Sequence, residues 1–311
     1  MKCSGCGSKK NIIKNGKRQS KKGTLQRYLC RNCNRTFIYP KPSRNHYPEN
    51  VILHTLEQYN RGYPVAMAKR MTGTKYQYSP PVPTIYSWIK RYEQDLPFIK
   101  LRKRYEIDPE DLLTRRRLDH GQVYSFTYHN LKLNIHSKSI PELRRYINWI
   151  ERSLDDDMFL KGPRASSTRI VNDVRIKPID GPITRMTELA LKSKPNNTSM
   201  SAHEMVEEFF LINDSSTVAI ELPVFLRSDE TDIPLENTLT GHIDMVQMRF
   251  DNVWVLDYKP NLNKPENHSS QLILYKEALH RRTSIPWEKI RTGVFNQHAF
   301  YEIIDDDRKK K

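Results

Sequence analysis

The chain has 311 residues, with 52 Lys and Arg against 36 Asp and Glu, a formal charge of +16 and 37% hydrophobic residues. That length suits two or three small domains with at least one full core. No stretch approaches the roughly 20 apolar residues of a membrane span, and the start MKCSGCGSKK lacks the apolar core of a signal peptide, so membrane and secreted classes are set aside and an intracellular chain, cytoplasmic or nucleoid-associated, is expected. The charge is uneven: residues 1–150 carry +20 and residues 151–311 carry −4. A basic first half expects nucleic acid as its partner, and a slightly acidic second half points to work for carboxylates.

The only four cysteines, Cys3, Cys6, Cys30 and Cys33, form two C-x2-C pairs separated by 23 residues. Two thiolates on one tight turn can grip a metal from one side, and two such turns complete a tetrahedral structural zinc site. A segment of about 40 residues has little core, so the metal would supply much of its folding energy. Between and after the pairs run Lys14-Asn15-Gly16, Gln26-Arg27-Tyr28 and Arg35-Thr36-Phe37. On these residues the segment resembles the zinc ribbon at the front of certain insertion-sequence transposases, which implies DNA contact and no catalysis.

After a Pro-rich linker at 40–48, ENVILHTLEQYNRGY reads as an amphipathic helix ended by Gly62. Pro64 opens a second helix, which Gly73 is expected to close, and Thr84 is the expected N-cap of a third, TIYSWIKRYEQ. Ile85, Trp88 and Ile89 give that third helix an apolar stripe, while Tyr86, Ser87, Lys90 and Arg91 fall on its outer face as candidate DNA-binding residues. The three helices look like the helix-turn-helix that follows the ribbon in the same transposase class. Residues 99–165 carry no chemical motif and are read as a connector or small α+β element, with a charged, partly helical start, a strand or hairpin at VYSFTYHNLKLNI and a helix after Pro141. His120, His129 and His136 are read there as surface or core residues.

The second half reads as a helix (SAHEMVEEFFLI), three strands, a helix (SSQLILYKEALHRR) and two more strands, with Asp251-Asn252 as the turn of the central hairpin. Asp257 and Lys259 are two apart in a strand and share a face, and a tight turn would bring Asp244 across the hairpin near Lys259. Two carboxylates and a lysine suit phosphodiester hydrolysis: carboxylates hold hard divalent cations, Mg2+ or Mn2+, which acidify a water and neutralise phosphate charge, and the lysine orients that water or stabilises the transition state.

Asp244 followed by Asp257-Tyr258-Lys259 is similar to the D…(D/E)-x-K signature of PD-(D/E)XK nucleases, and most similar to the RecB-like branch that includes the CRISPR-associated RecB-like exonucleases. His203 and Glu207 match that branch's H-x-x-x-E, Gly241 and Asp244 its G-x-x-D, and Gln271 and Tyr275 its Q-x-x-x-Y. The resemblance implies His203, Asp244, Asp257 and the Tyr258 carbonyl as ligands of Mg2+ or Mn2+, Lys259 as catalytic, and Gln271 and Tyr275 as positioning the lysine or the DNA backbone. Glu221 sits where the family often has an acid on its first strand. No cysteines lie near these motifs, so the iron-sulfur cluster of many relatives cannot form, and His242 is read as structural. The expectation is a multidomain α/β chain: a zinc ribbon at 1–40, a helix-turn-helix domain at 45–98, the connector at 99–165, a nuclease domain with a restriction-endonuclease-like α-β-β-β-α-β core at 166–305, and a disordered tail at 306–311. The function read from it is a metal-dependent DNA nuclease, with RNA as a further possible substrate. The alternatives are a non-catalytic DNA-binding regulator or a transposase-related mobile-element protein with a degenerate nuclease domain.

Overall fold

The computed structural model describes residues 1–20, 23–39, 47–170, 173–194 and 199–305. Most of the expected Pro-rich linker and all of the expected tail at 306–311 lie outside these residues. The chain divides into two compact units, Met1–Ile52 and Leu53–Lys311.

The first unit holds a three-stranded antiparallel sheet of β1 (Ile12–Ser20), β2 (Gly23–Cys30) and β3 (Thr36–Ile38). Tyr28 and Phe37 on neighbouring strands form an aromatic pair, their ring centroids 6.0 Å apart. Cys3 and Cys30 are buried beside a sheet that is otherwise largely exposed, so the cysteines take the place of an apolar core.

A helical run follows: α1 (Glu49–Asn60), α2 (Val65–Tyr76), α3 (Val82–Tyr92) and α4 (Phe98–Arg104). Two expected boundaries move. Gly73 lies inside α2, which continues to Tyr76 and ends at Gln77, whose left-handed backbone (φ 58°) returns its N–H to the Gly73 carbonyl. Helix α3 starts at Val82 behind Pro81, two residues before the expected Thr84 cap, because the Pro81–Pro83 run presets the helical entry. Ile85, Trp88, Ile89 and Tyr92 are buried.

The rest of the second unit is built on one eight-stranded sheet. Its strands are β4 (Leu113–Asp119), β5 (Val123–His129), β6 (Val174–Pro178), β7 (Thr217–Leu226), β8 (Leu239–Arg249), β9 (Asn252–Tyr258), β10 (Ile290–Phe295) and β11 (Phe300–Asp305). They lie in the order β4-β5-β7-β8-β9-β10-β11-β6, antiparallel except for the parallel pair β9 and β10. The helices are α5 (Asn130–His136), α6 (Pro141–Ser153), the single turn α7 (Met158–Lys161), α8 (Pro182–Lys192), α9 (Ala202–Asn213) and α10 (Ser269–Thr283). Strands β7, β8 and β9 are buried over almost every residue, as central strands covered on both faces must be. Helix α9 packs on β5 and β7, and α10 packs on β7, β9, β10 and α6.

The order α9-β7-β8-β9-α10-β10-β11 follows the expected α-β-β-β-α-β-β. Residues 99–165, expected as a connector or a small α+β element, hold strands β4 and β5 and helices α5 and α6. Their hairpin β4–β5 pairs with β7 and extends the same sheet, and α6 packs on α10. The second half of the expected strand VYSFTYHNLKLNI is helix α5. Its buried Lys132 turns inward there and donates to the carbonyls of Leu211 (2.6 Å) and Asp214 (2.7 Å) at the end of α9. The central hairpin turns at Phe250-Asp251, one residue before the expected pair; both have positive φ (52° and 54°), as a type I′ turn requires, and Arg249 faces Asn252. Among the described residues no helix is long and apolar enough to cross a membrane.

Candidate active site and metal clusters

Helix α9 opens with a full capping box: Ser201 accepts from the Glu204 N–H at 3.1 Å and Glu204 accepts from the Ser201 N–H at 2.8 Å. This fixes the first turn, on which His203 sits, and Glu207 lies one turn later on the same face. His203 Nε2 is 2.6 Å from Asp244 Oδ2 on β8 and 3.3 Å from Glu207 Oε1, the latter at ion-pair distance without hydrogen-bond geometry. Ligand atoms of His203, Glu207 and Asp244 all fall within 4.8 Å of one another, a set that could hold a metal ion.

Strand β9 supplies the rest. The register that pairs Met245 with Leu256 carries Asp244 towards Asp257, two residues short of the expected position near Lys259. The Tyr258 N–H donates to Asp244 Oδ2 at 3.0 Å, so the contact seen at Tyr258 is through its amide. Asp257 is 1% exposed: its Oδ1 accepts from Lys259 Nζ at 2.9 Å and from Gln271 Nε2 at 3.2 Å, and its Oδ2 has no hydrogen-bond partner. Gln271 also donates to the Tyr275 hydroxyl at 3.2 Å. The pair therefore holds the Asp257 carboxylate, to whose Oδ1 Lys259 also donates. Lys259 follows the end of β9, where its N–H donates to the Phe295 carbonyl.

The electrostatics follow from packing several acids into a buried space. Burial, reinforced by the Asp244 charge, pushes Asp257 up to about 7 and Glu221 up to about 8. Burial and the charge of Glu221 push Glu207 well above the usual carboxylate range. Burial opposes ionisation of Asp244 too, but His203, Lys259 and the Tyr258 amide outweigh it and hold its pKa low. His203 and Lys259 are both raised: burial works against their charged forms and the surrounding carboxylates win.

Glu207 joins His203 and Asp244 beyond the ligands that the resemblance implies, and its spacing of four from His203 in H-x-x-x-E is the sequence signal for it. Glu221 stands on β7 between Ile220 and Leu222, which pair with Met245 and Ile243 and so flank Asp244. Its φ of 51° is a strained conformation for a non-glycine residue inside a strand, and no sequence pattern announces it. His242 belongs to a separate hydrogen-bonded network. His120 Nδ1 lies 2.8 Å from His242 Nε2, His120 Nε2 lies 3.1 Å from Asp156, and Tyr124 stacks on His242 at 3.7 Å. His120 and His129 are fully buried, and His136 is half-buried with its Nε2 3.0 Å from the Ser215 carbonyl.

In the first unit the sulfurs of Cys3 and Cys33 lie 3.6 Å apart and those of Cys6 and Cys30 3.7 Å apart, too far for disulfides. All four fall within 4.8 Å of one another, a cluster that could bind zinc. Tetrahedral bonds of about 2.3 Å would put sulfurs roughly 3.8 Å apart. On α3 the side chains of Tyr86, Ser87, Lys90 and Arg91 lie on the exposed face, with Tyr86 57% exposed.

The model of the PD-(D/E)XK nuclease superfamily matches residues 185–311, and no curated protein or solved structure matches the chain. The C-terminal region thus carries a PD-(D/E)XK nuclease superfamily domain with a mixed sheet consistent with that fold. The match runs from α8 through β11 and leaves strands β4, β5 and β6 of the same sheet outside it.

Proposed function

We propose that this chain is a metal-dependent deoxyribonuclease of RecB-like type, delivered to DNA by a zinc ribbon and a helix-turn-helix in its first hundred residues. The observation that carries the reading is a pair of buried acids beside His203 and Asp244: Glu207 Oε1 and Asp257 Oδ2 both lack a hydrogen-bond partner. Buried carboxylate oxygens without donors are costly, and a hard divalent cation is the group that relieves them. Among the described residues, His203, Glu207, Asp244, Asp257 and the Tyr258 carbonyl would hold it, with Glu221 beside them. A cation of this kind acidifies a water and offsets charge on a phosphate.

Lys259 has an elevated pKa and side-chain exposure of 27%, so it stays protonated at neutral pH and presents a fixed positive charge to the phosphate. This favours electrostatic stabilisation over general-base work. Gln271 fixes the Asp257 carboxylate, and Tyr275 fixes Gln271. The four cysteines would hold one structural zinc, and Tyr86, Ser87, Lys90 and Arg91 would face the DNA. The total charge of +16, concentrated as +20 in residues 1–150, supports DNA as the partner of that half.

The test is cleavage of labelled DNA in Mg2+ or Mn2+ by the wild type, Asp257→Ala and Lys259→Ala. The wild type is expected to cut and both variants to lose cleavage. No cleavage by the wild type, or equal cleavage by all three, rejects the site.

A further inference from the structure

A second cavity lies apart from the carboxylates, where α6, the end of β7 and the last turn of α10 meet. Its volume is about 370 Å3, within the range of small-ligand sites, and it is lined by Arg145, Trp149, Phe225, Arg227 and Arg282 among others. The Tyr146 hydroxyl donates to the Pro223 carbonyl at 2.8 Å and pins α6 to β7. Trp149, one turn from Arg145 on α6, lies nearly parallel to Tyr146 (11°) with its centroid 6.0 Å from that of Phe225, yet it stays 37% exposed.

The charges around this aromatic wall are unevenly spent. Arg282 packs its guanidinium 4.3 Å above the Phe225 ring and pairs with Glu230, while its buried Nε has no hydrogen-bond partner. Arg227 is 55% exposed and lies 3.8 Å from Glu230, beyond hydrogen-bond length, and Arg145 is 71% exposed and donates to Glu142, three residues before it on α6, at 3.2 Å. A flat aromatic surface open to solvent, bordered by two weakly held guanidinium groups, suits a ligand with an aromatic plane and an anion close to it.

We propose that this cavity binds an unpaired nucleotide, its base stacked on Trp149 and its phosphate held by Arg145 and Arg227. A base within a duplex keeps its faces against its neighbours, so only an unstacked one can use the tryptophan. Phe225 is four residues along β7 from Glu221, and Arg282 is eleven residues along α10 from Gln271. These separations correspond to roughly 13 Å of strand and about 16 Å of helix. At about 3.4 Å per stacked base, a strand entering both places would span four to five nucleotides. The binding does not depend on cleavage, so it is read in EDTA with full-length protein.

The experiment titrates single-stranded DNA of about 12 nucleotides, and separately dAMP, while following tryptophan fluorescence. Saturable quenching is expected in the wild type and is expected to fall by at least about half in Trp149→Phe, which keeps an aromatic ring in the cavity wall. Trp149→Ala should weaken oligonucleotide affinity by about five-fold or more. Arg145→Glu, at a mostly exposed position, should weaken it and flatten its salt dependence. Quenching by dAMP as well as by the oligonucleotide identifies a free nucleotide as sufficient, and quenching by the oligonucleotide alone identifies a strand. The proposal stands only if Trp149→Phe loses the signal and at least one of the other two variants loses affinity; every other combination overturns it.

Discussion

The ring of Tyr275 lies against the backbone of Gly241, in the space a side chain there would fill. A Cβ at Gly241 would stand 3.1 Å from the Tyr275 hydroxyl oxygen and 3.2 Å from Cζ, with Cε1 nearer still. The glycine three residues before Asp244 is therefore a seat for the tyrosine that steadies Gln271, which in turn holds Asp257. Gly241→Ala should displace the ring, free the Gln271 amide and lower kcat about 10- to 100-fold with little change in DNA affinity. Steady-state cleavage beside a binding isotherm separates the two effects.

The buried acids make metal affinity depend on pH. With folded-state pKa values raised to about 7 at Asp257 and about 8 at Glu221, the metal-free protein favours their protonated forms. Their contribution to stability is full below the unfolded carboxylate range, near 4, and is lost as pH rises through 7 and 8. Melting in EDTA should show Tm falling between pH 6 and pH 8.5. Added Mg2+ should raise Tm more at the higher pH, because protons no longer compete for the oxygens. A pH-independent Mg2+ effect contradicts this.

For the first unit, one zinc per chain is expected by elemental analysis, and none after Cys30→Ser. The Cys6 and Gly5 amides near the Cys3 sulfur draw its thiol down to about 6, so one thiolate is ready at neutral pH before the metal binds. Chelation should abolish the circular-dichroism signal of this unit while leaving the main melting transition in place.

At α3, Lys90→Ala with Arg91→Ala should weaken DNA binding across sequences and reduce the salt slope by about two. An unchanged slope removes this face from the DNA interface.

Lys132 offers a stability test remote from the acids. Burial lowers its pKa to about 7, against 10.5 for an ordinary lysine. The unfolded chain binds the extra proton between these values, so this residue's contribution to stability rises with pH across that window and is lost as pH falls through it. Lys132→Met also surrenders the bonds to Leu211 and Asp214. The stability gap between wild type and variant should widen from pH 7 to pH 9.5 by about 3 kcal/mol, measured by urea unfolding.

The central element order and the shared face of Asp257 and Lys259 were legible because hydrophobic patterning and a period of two report directly on a buried hairpin. Phe250 as a turn residue was not, since no phenylalanine is expected at positive φ; the neighbouring Asp-Asn pair carried the stronger turn signal. Glu221 was visible as an acid on a strand, but its reversed φ comes from the sheet around it. Strand β4 reads as part of a charged connector because its Arg115 and Arg117 face solvent at the sheet edge, and Asn130–His136 alternates like a strand although Lys132 is drawn inward as a helix residue. Long-range pairing of β5 with β7 and of β6 with β11 leaves no local trace in the sequence.

That last pairing bears on how the chain matures. Among the described residues strand β6 pairs with β11 alone, with Pro178 facing Tyr301, so the segment at 174–178 is synthesised more than a hundred residues before that partner. The hairpin β4–β5 waits a shorter time for β7. Both flanks of the sheet thus leave the ribosome ahead of its middle, and the β6 edge is completed only when β11 is made. A ribosome paused before residue 300 would hold an open-edged intermediate, which exposes the nascent chain to chaperones and proteases until β11 emerges.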